Sequence, residues 1–307
     1  MFFSNKCVKI TSIMSDNSYT PFSISPNPNS LYLTDSLRAV VNKSKFTIDK
    51  KQGLTCILGD IGLGKSTILR FLHGDYSARE DMVTTLIPTP AFPSPFAMLK
   101  SICMDFKLEP ERSFQKQQEA LETFLQEKFV ENKNVVIFID EAQNVNNKQL
   151  ELIRSLLNYE TNTHKLIQIV LAGQLELKDR LSDKRNKAVA SRVSTYSILS
   201  PLTLEETREM ISHRCKFENI NNPFTDESVE KIYQVSGGVP RSVLKICAFA
   251  YHVKELEELD EITPEFIEIT EPEVLIPDKQ TNTNKKETTL KRASHKISKA
   301  NSTTRGK

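Results

Sequence analysis

Apolar positions along the chain follow two alternating rhythms. Five short, nearly unbroken apolar runs read as strands: "GLTCILG" (53–59), "DMVTTLIPT" (81–89), "NVVIFIDEAQ" (134–143), "KLIQIVLAGQ" (165–174) and "SRVSTYSIL" (191–199). Segments with helical spacing lie between them. "LYLTDSLRAVVNKSKF" (31–46) has Thr34 or Asp35 as its cap, "KSTILRFLHG" (65–74) closes at Gly74, and "PSPFAMLKSICMDFKL" (93–108) opens at Pro95. "SFQKQQEALETFLQEKFVEN" (113–132) places Phe114, Leu121, Phe124, Leu125 and Phe129 on one apolar side, and "KQLELIRSLLNYE" (148–160) is a further helix. Apolar strands alternating with helices predict an α/β fold, a parallel sheet covered on both faces.

From Thr203 the rhythm changes. "LEETREMISHRCKF", "TDESVEKIYQVSGG" and "PRSVLKICAFAYHVKEL" predict three helices with no strand between them. The expected organisation is a flexible segment 1–30, an α/β domain 31–202, a small all-helical domain 203–268 and a disordered basic tail 269–307. The length of 307 residues has room for a main domain and a smaller one.

Composition narrows the class. With 38% apolar and 26% charged residues the chain reads as an ordinary soluble protein. No apolar run reaches the roughly 18 residues of a membrane span. "MFFSNKCVKITSI" lacks a sustained apolar core and makes a poor signal peptide, and Met14 offers an alternative start. Cys7, Cys56, Cys103, Cys215 and Cys247 are odd in number and far apart, as expected of reduced thiols in a cytoplasmic protein. His73, His164, His213 and His252 show no metal-ligand spacing. Charge is uneven: residues 279–307 hold nine Lys/Arg and one acid, whereas residues 1–278 hold 32 bases and 38 acids. The tail fits both a solvated end and a nucleic-acid-binding segment.

One motif carries specific chemistry. Gly59-Asp60-Ile61-Gly62-Leu63-Gly64-Lys65-Ser66, followed by Thr67, matches the P-loop pattern and sits between a predicted strand and a predicted helix. In such loops glycines turn backbone N–H groups inward around phosphates, and the helix N-terminus adds partial positive charge. Lys65 is expected to reach the β- and γ-phosphates of ATP, and the Ser66 hydroxyl to ligate Mg2+. Asp140, 75 residues after Lys65, ends a strongly apolar strand and is expected to hold the same Mg2+. Glu141 is then placed to act as general base toward the attacking water.

The order of the P-loop, "DEAQN", "IQIVLAGQLEL", "SRVSTYSILSPLTLEET" and "SGGVPRSV" resembles AAA+ ATPases. It is most similar to the ATPase module of ExeA-type secretion proteins and of TnsC- and TniB-like transposition regulators, over roughly residues 25–268. The resemblance implies a P-loop AAA+ core followed by a helical lid. It places Gln174 at the sensor-1 position, against the γ-phosphate or the lytic water, and Arg241 at sensor 2. Arg192 is the expected arginine finger reaching a neighbouring subunit's nucleotide, with Arg185 as its rival. Tyr32 and Arg38 fall where relatives approach the adenine.

Three functions compete. In the first, ATP assembles a homo-oligomer, ring or helical filament, on double-stranded DNA, and the assembly links a target-selection protein to a transposase. In the second, an ExeA-like secretion-accessory ATPase acts on envelope assembly. In the third, a non-catalytic scaffold binds nucleotide only to hold an oligomer together. The second predicts a membrane segment and an envelope-binding domain after the ATPase module, and their lack in this sequence favours transposition. Lys65, Ser66, Asp140 and Glu141 together disfavour the third. A net acidic body argues against broad DNA contact, although Lys184, Arg185, Lys187 and Arg192 cluster with only Asp183 opposing them.

Overall fold

The computed structural model describes residues 21–275. Cys7, the alternative start at Met14, most of segment 1–30 and the basic run 279–307 lie outside the described residues.

Strands β1 (Leu54–Leu58), β2 (Met82–Ile87), β3 (Asn134–Ile139), β4 (Ile167–Gly173) and β5 (Val193–Ile198) form one sheet in the order β2-β3-β4-β1-β5. Every neighbouring pair is parallel. Parallel pairing requires crossovers, and helices supply them. The pleat sends alternate residues to opposite faces. Val135, Ile137 and Ile139 pack with α3 (Pro95–Asp105), α4 (Phe114–Val130) and α5 (Asn147–Leu156), whereas Val136 and Phe138 pack with α1 (Asp35–Asp49) and α2 (Lys65–Ser77). The three central strands are buried along their whole length, which explains their unbroken apolar sequences.

Local chemistry sets most helix ends. Thr34, not Asp35, caps α1, its hydroxyl accepting the Leu37 N–H at 3.2 Å. Gly74 does not end α2, which continues to Ser77. The last turn is held by the fully buried Tyr76, whose hydroxyl donates to Asp49 at 3.1 Å, and this packing outweighs the cost of one internal glycine. On α4, Leu121, Phe124 and Leu125 are buried, but Phe114 is 38% exposed. The buried residue near that end is Gln117, whose side-chain carbonyl accepts the Glu111 N–H.

Two short helices, α6 (Leu175–Ser182) and α7 (Lys187–Ala190), lead from β4 to β5. Beyond β5, α8 (Leu204–Phe217), α9 (Asp226–Ser236), α10 (Pro240–Leu256) and α11 (Pro264–Thr270) surround a separate core containing Ile211, Ile232, Val243 and Ile246. Two sequence boundaries need correction here. Phe22 is fully buried in this core, its ring edge-on to Phe224 at 5.5 Å and Tyr251 at 6.0 Å, so the packed fold begins before residue 31. At the other end, Thr270 is buried and bonded to the Phe266 carbonyl, and a short 3-10 turn runs to Glu273, so the fold continues past 269. Among the described residues no helix is long and apolar enough to cross a membrane.

Candidate functional site

The P-loop connects the carboxyl end of β1, a strand inside the sheet, to α2, which packs on one face of that sheet. Gly64 takes a left-handed φ of +93° at the N-cap of α2, which leaves the first helical N–H groups facing outward. Gly62, with φ +86°, has a second constraint: a Cβ there would lie 2.9 Å from Val239 Cγ1 and 3.0 Å from Arg241 Cβ. The loop is therefore pressed against the start of α10, and the Arg241 N–H donates to the Gly62 carbonyl at 3.2 Å. One hydrogen bond thus joins the α/β core to the helical unit at the phosphate loop.

A cleft of about 500 Å3 opens along this junction. Residues 61–67, Asp140, Glu141, Gln174 and Arg241 all line it, so the structure brings most of the sequence-selected residues together. Gly59 and Asp60 contribute carbonyls that accept from Lys65 Nζ, each at 2.8 Å. Arg192 and Arg185 do not line this cleft. Arg192 donates to the Asn158 side chain and the Ala188 carbonyl, each at 2.8 Å, and Arg185 pairs with Asp183 at 2.7 Å. Tyr32 lines the cleft and its hydroxyl donates to Glu209, but Arg38 does not reach it. The Arg38 guanidinium instead donates to the Leu33 carbonyl at 3.2 Å and faces Asp35, because its helical position turns it outward.

The site's electrostatics come from burial opposed by nearby charge. Lys65 is 7% exposed, and desolvation lowers its pKa while Glu141 first, then Asp140 and Asp60, pull it back up. Asp140, also 7% exposed, is raised by desolvation and lowered in opposition by the Ser66 hydroxyl and the Glu141 N–H, the latter at 2.9 Å. A Ser66 hydroxyl against the Asp140 carboxylate is a pair of hard oxygen donors, which fits Mg2+ completed by phosphate oxygens and water. Among the described residues no cluster of three or more His, Cys, Asp or Glu offers a different kind of metal site. A helix N-terminus with one lysine, both lining the cleft, fits a polyphosphate.

Sequence reading missed two contributors. Gln143 donates its side-chain amide to the Glu141 carboxylate at 2.5 Å and accepts the Gln174 N–H at 3.1 Å. Its place two residues after Glu141 was visible, but its bonding partner 31 residues away was not. Residues 24–26 also wall the cleft, because Phe22 anchors them, and no local motif in that segment signals it.

Comparison with known proteins agrees with this geometry. Residues 48–181 match the family model described as "AAA domain". General secretion pathway protein A of Aeromonas hydrophila is 28% identical over 230 residues, which cover 74% of this chain and 42% of that protein. The chain thus spans less than half the length of that relative. In fold it is similar to Cdc6p from Pyrobaculum aerophilum, with a TM-score of 0.63 and 16% identity over 84% of this chain and 72% of that one. It is similar also to the Aeropyrum pernix ORC1 protein solved in complex with DNA, with a TM-score of 0.61 and 14% identity over 83% and 69% of the two chains. Residues 48–181 therefore form an AAA-type domain, and that domain carries the P-loop.

Proposed function

We propose that this is an AAA+ ATPase whose turnover requires several copies to assemble. One observation carries the reading: Lys65, Ser66, Asp140 and Glu141 share one cleft, while Arg192 and Arg185 stand outside it. An arginine so placed is out of reach of its own subunit's nucleotide, so a finger role for it requires a neighbouring copy. Lys65 neutralises charge on the β- and γ-phosphates, and Ser66 with Asp140 would hold Mg2+. The metal's contribution is neutralisation of charge that develops on the phosphate oxygens. Glu141 takes a proton from the attacking water as the new oxygen–phosphorus bond forms and the bond to the departing ADP breaks. Gln174 contacts the γ-phosphate or that water, and Arg241 conveys the nucleotide state to the helical unit through its bond to Gly62.

The client has two candidates. Likeness to general secretion pathway protein A over 74% of the chain supports an accessory role in secretion or envelope assembly. Because the chain spans 42% of that relative, the lack of further segments in this sequence carries no weight against that role. A DNA-loaded regulator linking a target-selection protein to a transposase is supported by the motif resemblance and by the fold shared with DNA-bound ORC1. The exposed Lys184, Arg185 and Lys187 offer it a basic surface. The relatives compared above do not name transposition, and we place secretion first.

The test is electron microscopy and duplex-DNA binding with ATP, with a slowly hydrolysed analogue and without nucleotide, using Lys65→Ala as control. Nucleotide-dependent assembly without DNA binding fits the secretion reading. Assembly on DNA, with affinity falling steeply as salt rises, shifts the client to DNA. Turnover independent of protein concentration, with no assembly in any state, overturns the assembly reading itself.

A further inference from the structure

Glu141 occupies a left-handed backbone conformation, with φ +49°, at the N-cap of the 3-10 turn Ala142–Asn144. A non-glycine residue holds that conformation only against strain, so its surroundings must fix it. Its side chain lines the same cleft as Lys65 and the phosphate loop, so the carboxylate shares the phosphate side with them.

Gln143 supplies the restraint. An amide side chain carries both a donor and an acceptor, and here each is used once, toward Glu141 and toward the Gln174 N–H. The fit to the end of β4 is close: a Cβ at Gly173 would lie 3.1 Å from the Gln143 N and 3.2 Å from its Oε1. Gln174 begins the stretch that runs through α6 and α7 to Arg192. That stretch is tied to the acid-bearing loop by Arg180 donating to the Val145 carbonyl, and to the start of α5 by the Asn186 amide donating to Asn147 at 3.1 Å.

We propose that Gln143 is a positioning residue: it clamps the Glu141 carboxylate toward the γ-phosphate and ties it to the segment that carries the finger candidates. The proposal rests on Glu141 being the general base. Contact from a neighbouring subunit at α6–α7 would then be felt at Glu141 through one side chain. Aspartate or asparagine is too short to span the two partners, glutamate lacks the donor, and methionine keeps the length while losing both bonds.

The experiment is single-turnover and steady-state ATP hydrolysis by full-length Gln143→Met and Gln143→Glu, each alone and combined with Glu141→Gln, with ATP affinity and melting temperature measured alongside. In the Glu141-intact protein, each Gln143 change is expected to lower kcat by about tenfold, a fraction of the 10²–10⁴ that a general base supplies. KM and ATP affinity should stay within about twofold, because nothing that binds nucleotide is removed. In the Glu141→Gln background neither change should lower the rate further, since Gln143 acts through Glu141. An equal loss in both backgrounds, or a fall in ATP affinity or melting temperature that accounts for the rate, overturns the clamp. Unimpaired turnover by Gln143→Met with Glu141→Gln inactive overturns it too. Full turnover by Glu141→Gln instead defeats the general-base assignment beneath it.

Discussion

Replacing Gly62 by alanine tests the contact between the phosphate loop and the helical unit. Two costs arise at that position. The backbone is left-handed, at φ +86°, which costs a Cβ-bearing residue about 1–2 kcal/mol. The new methyl also falls 2.9 Å from Val239 Cγ1 and 3.0 Å from Arg241 Cβ, an overlap that relaxes only if the Val239 side chain or the start of α10 moves. Overpacking of this kind costs about 1–3 kcal/mol. Gly64 is an internal control, because its φ of +93° carries the first cost and a Cβ there meets no atom within 4 Å. Gly64→Ala is therefore expected to lose about 1–2 kcal/mol and Gly62→Ala about 2–5 kcal/mol. Thermal and urea unfolding without nucleotide separate the two, at about 2–4 °C per kcal/mol for a chain of this size. Adding Val239→Ala should recover stability in Gly62→Ala and not in Gly64→Ala. If the two glycine variants unfold alike, close approach to the helical unit is not why Gly62 is glycine.

Arg192→Ala should lower ATP turnover by on the order of 10³–10⁵ while leaving ATP affinity unchanged, and normal turnover would transfer the finger role to Arg185. Phe22→Ala should cost about 3–5 kcal/mol, read as a lower melting temperature, and should weaken nucleotide binding because residues 24–26 line the cleft. Burial raises the Asp140 pKa in the folded state, so its charge opposes folding increasingly as pH rises through that pKa. Asp140→Asn is accordingly expected to melt higher than the parent at neutral pH, to lose that gain once the pH falls below the ordinary carboxylate range, and to hydrolyse no ATP. A melting gain that persists unchanged at low pH would show that desolvation of the charge is not its source.

Strands and the phosphate loop were legible because their signals are local. An apolar run such as 134–139 needs cover on both faces whatever surrounds it, and the glycine spacing of 59–64 admits few backbone paths. Helix ends were legible only where a cap decided them: Thr34 was a candidate from its side chain alone, whereas α2 overran Gly74 because Tyr76 found a buried place beside Phe138. Phe114 shows the same limit from the other side. Helical spacing put it on the apolar face, but the space beneath that end of α4 is filled by Gln117.

By itself, then, the amino-acid order determined the α/β core, the phosphate-binding loop, the acidic strand end and the change to an all-helical segment, since each depends on residues adjacent or one turn apart. Tertiary structure alone decided that Phe22 anchors a cleft wall to a core built from residues two hundred positions later. It decided also that Arg241 meets Gly62, that Arg38 turns away, and that Gln143 spans Glu141 and Gln174. The physical reason is the same in each case. A hydrogen bond or a ring contact is fixed by distance in space, and sequence records distance only along the chain.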